Sequence, residues 1–449
     1  MSSSEHKSPR SGSIRSTSPG IHDHRNNEPT PAQFQAFSCQ FFDRNEAASK
    51  ARYIYTKILF FRTCLIIVVM FAVFSIYWGA LSSVPARGLQ GWIVDFDGGR
   101  VGQAITRELS GLSTPAVSWK VRSSQDFPHG TRDLVHAILE EHCWIAVATN
   151  PGSTLKLDAA LKGVIDPPYN ASHAITVYGI EARNENAFRT LIRPNVEMPL
   201  QKVTHDFATQ LIRELASNST DTLSSINPEM LVRPIYFTVN NLRPFDIPLA
   251  TAVTYVGLIY ILILSFYVVN STLLARTASG LERRLTLSSL IRIRVITPVI
   301  IYFVLSCFYS IVTLAFKLPF DRKFGRAGFV VFWMLSWFGM TATGLALETM
   351  MTLLTVKYIQ VFLILWMISN VSVCLWPIDA LPRVYMYGHA APFYQISRGV
   401  RTIVFNTKNE VGLNFGILSV WIIISCLSLP LIQWYRRREE VHQVQDRRP

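Results

Sequence analysis

The chain has 449 residues, 49% of them hydrophobic and only 16% charged, which is more apolar than an ordinary globular protein. Its net charge of +13 would suit nucleic acid, but the distribution excludes that class of partner. Residues 83–247 carry 15 basic and 17 acidic side chains, so the excess falls in 1–62 and 248–449, beside apolar runs, as membrane topology requires.

Residues 1–56 read as a cytoplasmic tail, with eight serines in the first 20 positions and no apolar periodicity, a composition that predicts disorder. Ser8-Pro9 and Ser18-Pro19 are candidate sites for proline-directed kinases, and aromatic residues between charges in 33–57 predict an interfacial helix, with Cys39 a candidate for acylation. Thr63–Ala86 is uncharged over 24 residues, enough to cross ~30 Å of hydrocarbon. With its basic inner flank it places the first transmembrane helix at 57–82.

Residues 83–246 form one polar segment of domain size, expected outside the cell or in a lumen. Trp92–Phe96 reads as a strand, Asp97-Gly98-Gly99 as a turn, and Val101–Leu112 as a helix with Val101, Ile105 and Leu109 on one face. Asp133–Glu141 predicts a second helix, Cys143–Ala148 a buried strand and Ala174–Tyr178 a third strand. A long helix from Asn184 to Ala216, broken near Pro194 and Pro199, follows. This alternation gives an α/β or α+β ectodomain. Six cysteines, at 39, 64, 143, 307, 374 and 426, leave only Cys143 outside an apolar run or the tail, so no internal disulfide can brace it. The sequons at Asn170 and Asn218 are glycosylation candidates.

Residues 247–435 predict a five-helix membrane block, with spans near 247–275, 295–316, 327–347, 353–378 and 411–435. The fold class is therefore a polytopic α-helical membrane protein of six transmembrane helices, with the ectodomain inserted between the first and second. The inner loops 43–62, 276–294, 348–357 and 436–449 hold 16 basic residues against eight in 317–326 and 379–410, which puts both termini in the cytosol.

No catalytic signature is present. A phosphate loop and a Gly-x-Ser-x-Gly elbow are both missing, and His136 and His142 are six apart, not four. The reading is of a non-enzyme with no cofactor and no bound metal. In 276–294, Arg283, Arg284, Arg292 and Arg294 alternate with leucine and isoleucine, giving either a topology anchor on anionic lipid or a docking element for a cytosolic partner. Glu348 and Lys357 bracket a tight inner turn. They sit at the headgroups, or Glu348 reaches into a translocation path. In the outer connector 379–410, Phe393–Phe405 predicts a short helix with Arg398 and Arg401 adjacent on one face. With Tyr394 it is either an interfacial aromatic belt or a re-entrant gate.

The strings Trp333-Met-Leu-Ser-Trp-Phe-Gly-Met340, Pro392-Phe-Tyr-Gln-Ile-Ser397, Arg401-Thr-Ile-Val-Phe405 and Gly412-Leu-Asn-Phe-Gly-Ile-Leu418 resemble the fungal nitrosoguanidine-resistance membrane proteins, which carry a DUF3533-type domain. Asn150-Pro-Gly-Ser-Thr154 and Tyr178-Gly-Ile-Glu-Ala-Arg183 resemble that family's ectodomain, and the likeness covers roughly 55–440. The resemblance implies a relation to the membrane half of ABC-2-type exporters, with a re-entrant element between the fifth and sixth spans. It also implies a part in resistance to toxic compounds at the cell surface, so the expected location is the plasma membrane, with an endomembrane as the alternative. The expected function is an exporter-like permease, with the lipid bilayer, a homo-oligomeric copy and a separate ATPase subunit as candidate partners. The alternative is a non-transporting regulator of lipid distribution, or a scaffold for other transporters.

Overall fold

Five strands between Leu89 and Asn241 build one mixed sheet, and their order follows from which runs can be buried on two faces. The computed structural model describes residues 40–112, 114–163, 169–218 and 226–445; the expectations for Ser8, Ser18 and Cys39 lie outside them. The strands are β1 (Leu89–Asp95), β2 (Val117–Arg122), β3 (Ile145–Thr149), β4 (Ile175–Gly179) and β5 (Phe237–Asn241), in the order β2-β1-β3-β4-β5. β1 runs parallel to β2 and β3, β4 is antiparallel to β3, and β5 is parallel to β4.

The alternation of strand side chains divides the core in two. Ile93, Ile145, Val147 and Val177 point to one face, where α2 (Arg100–Gly111) lays down Val101, Ile105 and Leu109. On that same face α5 (Pro194–Asn218) supplies Val196, Leu200 and Val203, and α4 (Ser153–Leu161) supplies Leu157. Trp92, Val94, Ala146 and Ala148 point to the other face, under Leu134 and Ile138 of α3 (Thr131–Leu139). Helices on both faces of a largely parallel sheet make this an α/β arrangement. The expected helix from Asn184 is a π-helical turn at Ala187–Ile192, followed by α5 from Pro194 with Pro199 inside.

After β1 the chain turns through Asp97-Gly98-Gly99. Asp95 Oδ1 accepts from the backbone of Asp97 and Gly98, each at 2.9 Å, and Asp97 accepts from the backbone of Thr154 at 3.0 Å. Both carboxylates are spent on holding the turn.

α1 covers Glu46–Ser82 without a break, so the separate interfacial helix expected over 33–57 is absent from 46 onward; the residues before it turn through Gln40–Asn45. Residues Pro248–Ala278 are helical throughout and include α6 (Gly257–Ala278); then come α7 (Leu287–Ala315), α8 (Gly328–Val371) and α10 (Val411–Gln445). Five helical stretches among the described residues are long and apolar enough to cross a membrane: Glu46–Ser82, Pro248–Ala278, Leu287–Ala315, Asp321–Val371 and Val411–Glu439. The count is five because Asp321–Val371 takes in both the fourth and the fifth expected spans. The turn expected at 348–357 is present as a kink between two helical arms and not as a loop. α8 departs from helical geometry only at Thr355 (φ 63°, ψ 168°), a strained conformation for a β-branched residue.

The segment 276–294 is not one surface helix either. α6 runs to Ala278, Gly280 turns the chain at φ 69°, and Leu287–Arg294 already belongs to α7. In the outer connector, short 3-10 turns at Ile378–Ala380 and Arg383–Ala390 lead to α9 (Pro392–Phe405).

The turn between β1 and α2 gives a direct test. A methyl group at Gly102 would lie 2.0 Å from Asp95 Oδ1, whereas one at Gly111 meets nothing within 4 Å. Gly102→Ala is expected to cost ~1–3 kcal/mol by overpacking, read as a lower melting temperature of the purified chain. Gly111→Ala is expected to leave it level or higher.

Candidate functional site

α9 is the element on which the polar groups converge. Proline at its first position supplies the φ a helix start needs, and Asn406 ends it in the left-handed region at φ 55°. All of its residues except Tyr394 and Arg398 are buried. One face interlocks with α8, where Ile396 fills the space over Gly339 and Leu335 fills the space over Gly399.

The other face meets the sheet domain through ion pairs. Arg401, 5% exposed, donates to Glu185 at 2.6 Å and to the Ala182 carbonyl at 3.0 Å. Arg398 bridges Glu141 at 2.7 Å and Glu410 at 2.6 Å. Arg183 lies 3.6 Å from the centre of the Trp144 ring, a close cation–π contact. It pairs with Glu141 at 3.2 Å and Asp379 at 3.4 Å, and Trp144 Nε1 donates to Asp379 at 3.1 Å. Lys408 pairs with Glu410 at 2.9 Å. All of these side chains except Glu185, together with Tyr394, line a cavity of about 360 Å³ whose remaining wall includes Leu413 and Ile417 of α10.

Burial works against the charges here, and the partners decide the outcome. Burial lowers the Arg183 pKa below its ordinary value, against the pull of Glu141. For Arg398, burial is outweighed by Glu141, Tyr394 and Glu410, which hold its pKa above the ordinary value. For Glu410, burial is outweighed by Lys408 and Arg398, which hold its carboxyl below the usual range. Behind the cluster, burial pushes the Cys143 thiol up to about 12, so it stays an inert neutral group.

A second cluster lies among the membrane helices. Glu348 of α8 is fully buried, and one of its oxygens accepts from Arg276 of α6 at 2.9 Å and from Arg294 of α7 at 2.7 Å. Arg294 also donates to Gln433 of α10 and to the Glu348 carbonyl at 3.3 Å. One turn on, Arg436 donates to the carbonyls of Leu353 at 2.7 Å and Thr352 at 3.3 Å. Both carbonyls lie within the turn that precedes the kink at Thr355.

Of the residues singled out in the sequence, Tyr394, Arg398 and Arg401 come together on α9, although the two arginines take different partners. Glu348 is buried between two arginines, while Lys357 is exposed with its ammonium 5.1 Å from the Tyr358 ring centre. Arg283, Arg284 and Arg292 are exposed, whereas Arg294, grouped with them as a docking residue, is turned inward. Asn170 is exposed and caps a short turn through a bond from the Ser172 backbone at 3.0 Å; the side chain of Asn218 lies outside the described residues. Sequence reading missed Glu141, Glu185, Asp379 and Arg276. Arg183 had a signal, since it closes the string Tyr178–Arg183.

Two expectations follow. Glu348→Ala leaves two buried guanidinium groups without a carboxylate, a loss of ~3–5 kcal/mol, so its melting temperature should fall well below those of single exposed variants such as Arg283→Ala. The depressed Glu410 pKa means its bridges contribute fully above the ordinary range near ~4.3 and are lost as pH falls through the depressed folded value. Melting temperatures between pH 7 and pH 3 should therefore fall less steeply for Glu410→Gln than for the parent; parallel curves would contradict this.

The match to a family of membrane proteins covers most of the chain. Residues 63–427 match the profile described as "Protein of unknown function (DUF3533)". An uncharacterized endoplasmic reticulum membrane protein of Saccharomyces cerevisiae is 25% identical, over 92% of this chain and 86% of that protein. No solved structure matches. With its apolar helices, its sheet domain and its α9 segment inside the matched range, the chain belongs to the DUF3533 family of membrane proteins.

Proposed function

We propose that this chain is an exporter-like permease of an endomembrane, with α9 as its lumenal gate. The observation that carries the reading is the state of α9. It is buried on every residue but Tyr394 and Arg398, and those two face a charged cavity between the sheet domain and the membrane helices. Backbone that turns back between two membrane helices is stable only where protein or a water-filled cavity surrounds it. Protein surrounds α9 except where Tyr394 and Arg398 face the cavity, which supports the reading.

In this reading the membrane is crossed six times, because the departure at Thr355 divides α8 into two arms. The sheet domain within 83–246 is lumenal and both termini are cytosolic. The endoplasmic reticulum location of the yeast relative favours an endomembrane over the plasma membrane. Glu348 with Arg276 and Arg294 closes the inner end by tying α6, α7 and α8 together, and the exposed Arg283, Arg284 and Arg292 offer a surface to a separate ATPase. The chain performs no covalent chemistry; it contributes to resistance by moving amphipathic toxic compounds.

Two measurements test this. In proteoliposomes of the purified chain, downhill movement of a labelled amphipathic toxicant should exceed that of empty vesicles. Arg398→Gln should change the rate about tenfold, as expected for ~1.4 kcal/mol at a gate, while rates equal to empty vesicles would remove the permease reading. For topology, glycosidase treatment should shift the parent on gels, and Asn170→Gln should remove part of that shift. No shift in the parent, or in either Asn170→Gln or Asn218→Gln, would contradict a lumenal sheet domain.

A further inference from the structure

The cavity beside α9 carries more information than its position, because its charges balance in number and not all of them are spent. Glu141, Asp379 and Glu410 face Arg183, Arg398 and Lys408 across it, while Arg401 is taken up by Glu185. A lone anion entering would meet three carboxylates, and a lone cation would meet two guanidinium groups and an ammonium. Neither sign is favoured by itself.

The unspent capacity lies at two places. On the acidic side, Glu141 Oε1 is buried and accepts no hydrogen bond among the described residues, and its partner oxygen carries both arginines. Asp379, 54% exposed, is engaged only through Oδ2. On the basic side, the Lys408 ammonium has three donors and, among the described residues, pairs with Glu410 alone. A buried carboxylate oxygen without a donor is costly.

The wall between these poles and the membrane helices is apolar. Leu413, in the first turn of α10, is 59% exposed, and Ile417 follows one turn on along the same helix. The cavity is thus polar at one end and continuous at the other with the surface that a bilayer would cover.

We infer that this cavity binds the headgroup of a zwitterionic amphiphile. The ammonium lies against the free Oδ1 of Asp379, with Glu141 behind it, the phosphate or carboxylate against Lys408, and the apolar chain leaves over Leu413 and Ile417. This deepens the permease reading, on which it rests for the placement of α9 at the membrane surface, by naming a substrate class for the same site.

The test is equilibrium binding to the purified full-length chain in a neutral detergent. The probes are radiolabelled dihexanoyl phosphatidylethanolamine, dihexanoyl phosphatidylglycerol of the same chain length, and chain-free glycerophosphoethanolamine. The ethanolamine lipid should bind saturably, and both other probes should bind about tenfold more weakly or worse, since each lacks one of the contacts. Asp379→Asn and Lys408→Gln change partly exposed groups and should fold; each should weaken the ethanolamine lipid about tenfold, with a melting temperature lowered by no more than the loss of one partly exposed ion pair accounts for.

Equal binding of the glycerol lipid, unchanged affinity in both variants, or chain-free headgroup binding as tightly as the lipid would each overturn the inference, the last by making the site one for a soluble zwitterion. Failure here is separable from failure of the permease reading. Headgroup binding without toxicant movement in vesicles removes the permease and leaves the site. Toxicant movement without headgroup binding does the reverse.

Discussion

The contacts on which the rest of the structure depends are the ion pairs joining α9 to the sheet domain, Arg401 with Glu185 and Arg398 with Glu141. Each brings together a charge from the membrane block and a charge from the sheet domain, and both pairs are largely removed from water. A buried pair gives up much of its Coulomb attraction to desolvation, so it adds little net stability, but breaking it by removing one partner is expensive. Such contacts specify an arrangement more than they strengthen it. Here they fix where the sheet domain sits on the helices. Arg87, donating to the carbonyls of Leu381 and Ile378, and Arg243, donating to that of Asn406, hold the two ends of the same connector.

The Glu348 cluster uses the same device among the membrane helices. Glu348 gathers Arg276 and Arg294, and with Gln433 it links α6, α7, α8 and α10 at one level. The non-helical residue in α8 lies seven positions beyond Glu348, and arginines from two other helices donate to the carbonyls on its inner side. The two clusters therefore bound α8 above and below, with the apolar α8–α9 contact at Gly339 and Gly399 between them.

Much of this was legible in the sequence where a single periodicity decides the outcome. The apolar runs marked the membrane helices, the spacing of Val101, Ile105 and Leu109 marked α2, and Pro392 marked the start of α9. What escaped reading was either non-local or local and unmarked. β2 and β5 are edge strands, with Lys120 and Arg122 in one and Asn240 and Asn241 in the other, so neither shows a clean apolar alternation. The turn expected at 348–357 is there only as a kink at Thr355, and with no proline or glycine beside it the sequence marked the interval between two apolar runs but not the residue. Arg276 and Arg294 looked like members of a basic inner loop, because their partner lies far along the chain on another helix. Arg398 and Arg401, three residues apart, shared a face as expected, yet that spacing says nothing of Glu141 and Glu185, which reach them from the sheet domain.

If α9 is a gate, fixing it to the sheet domain must stop transport. With the native Cys143 and Cys374 replaced, cysteines at Glu185 and Arg401 take the place of the ion pair and can be joined by a short bifunctional maleimide. The account predicts that the cross-linked chain loses toxicant movement in proteoliposomes, while the same double variant left unjoined retains it. Full movement through the cross-linked chain would contradict the account.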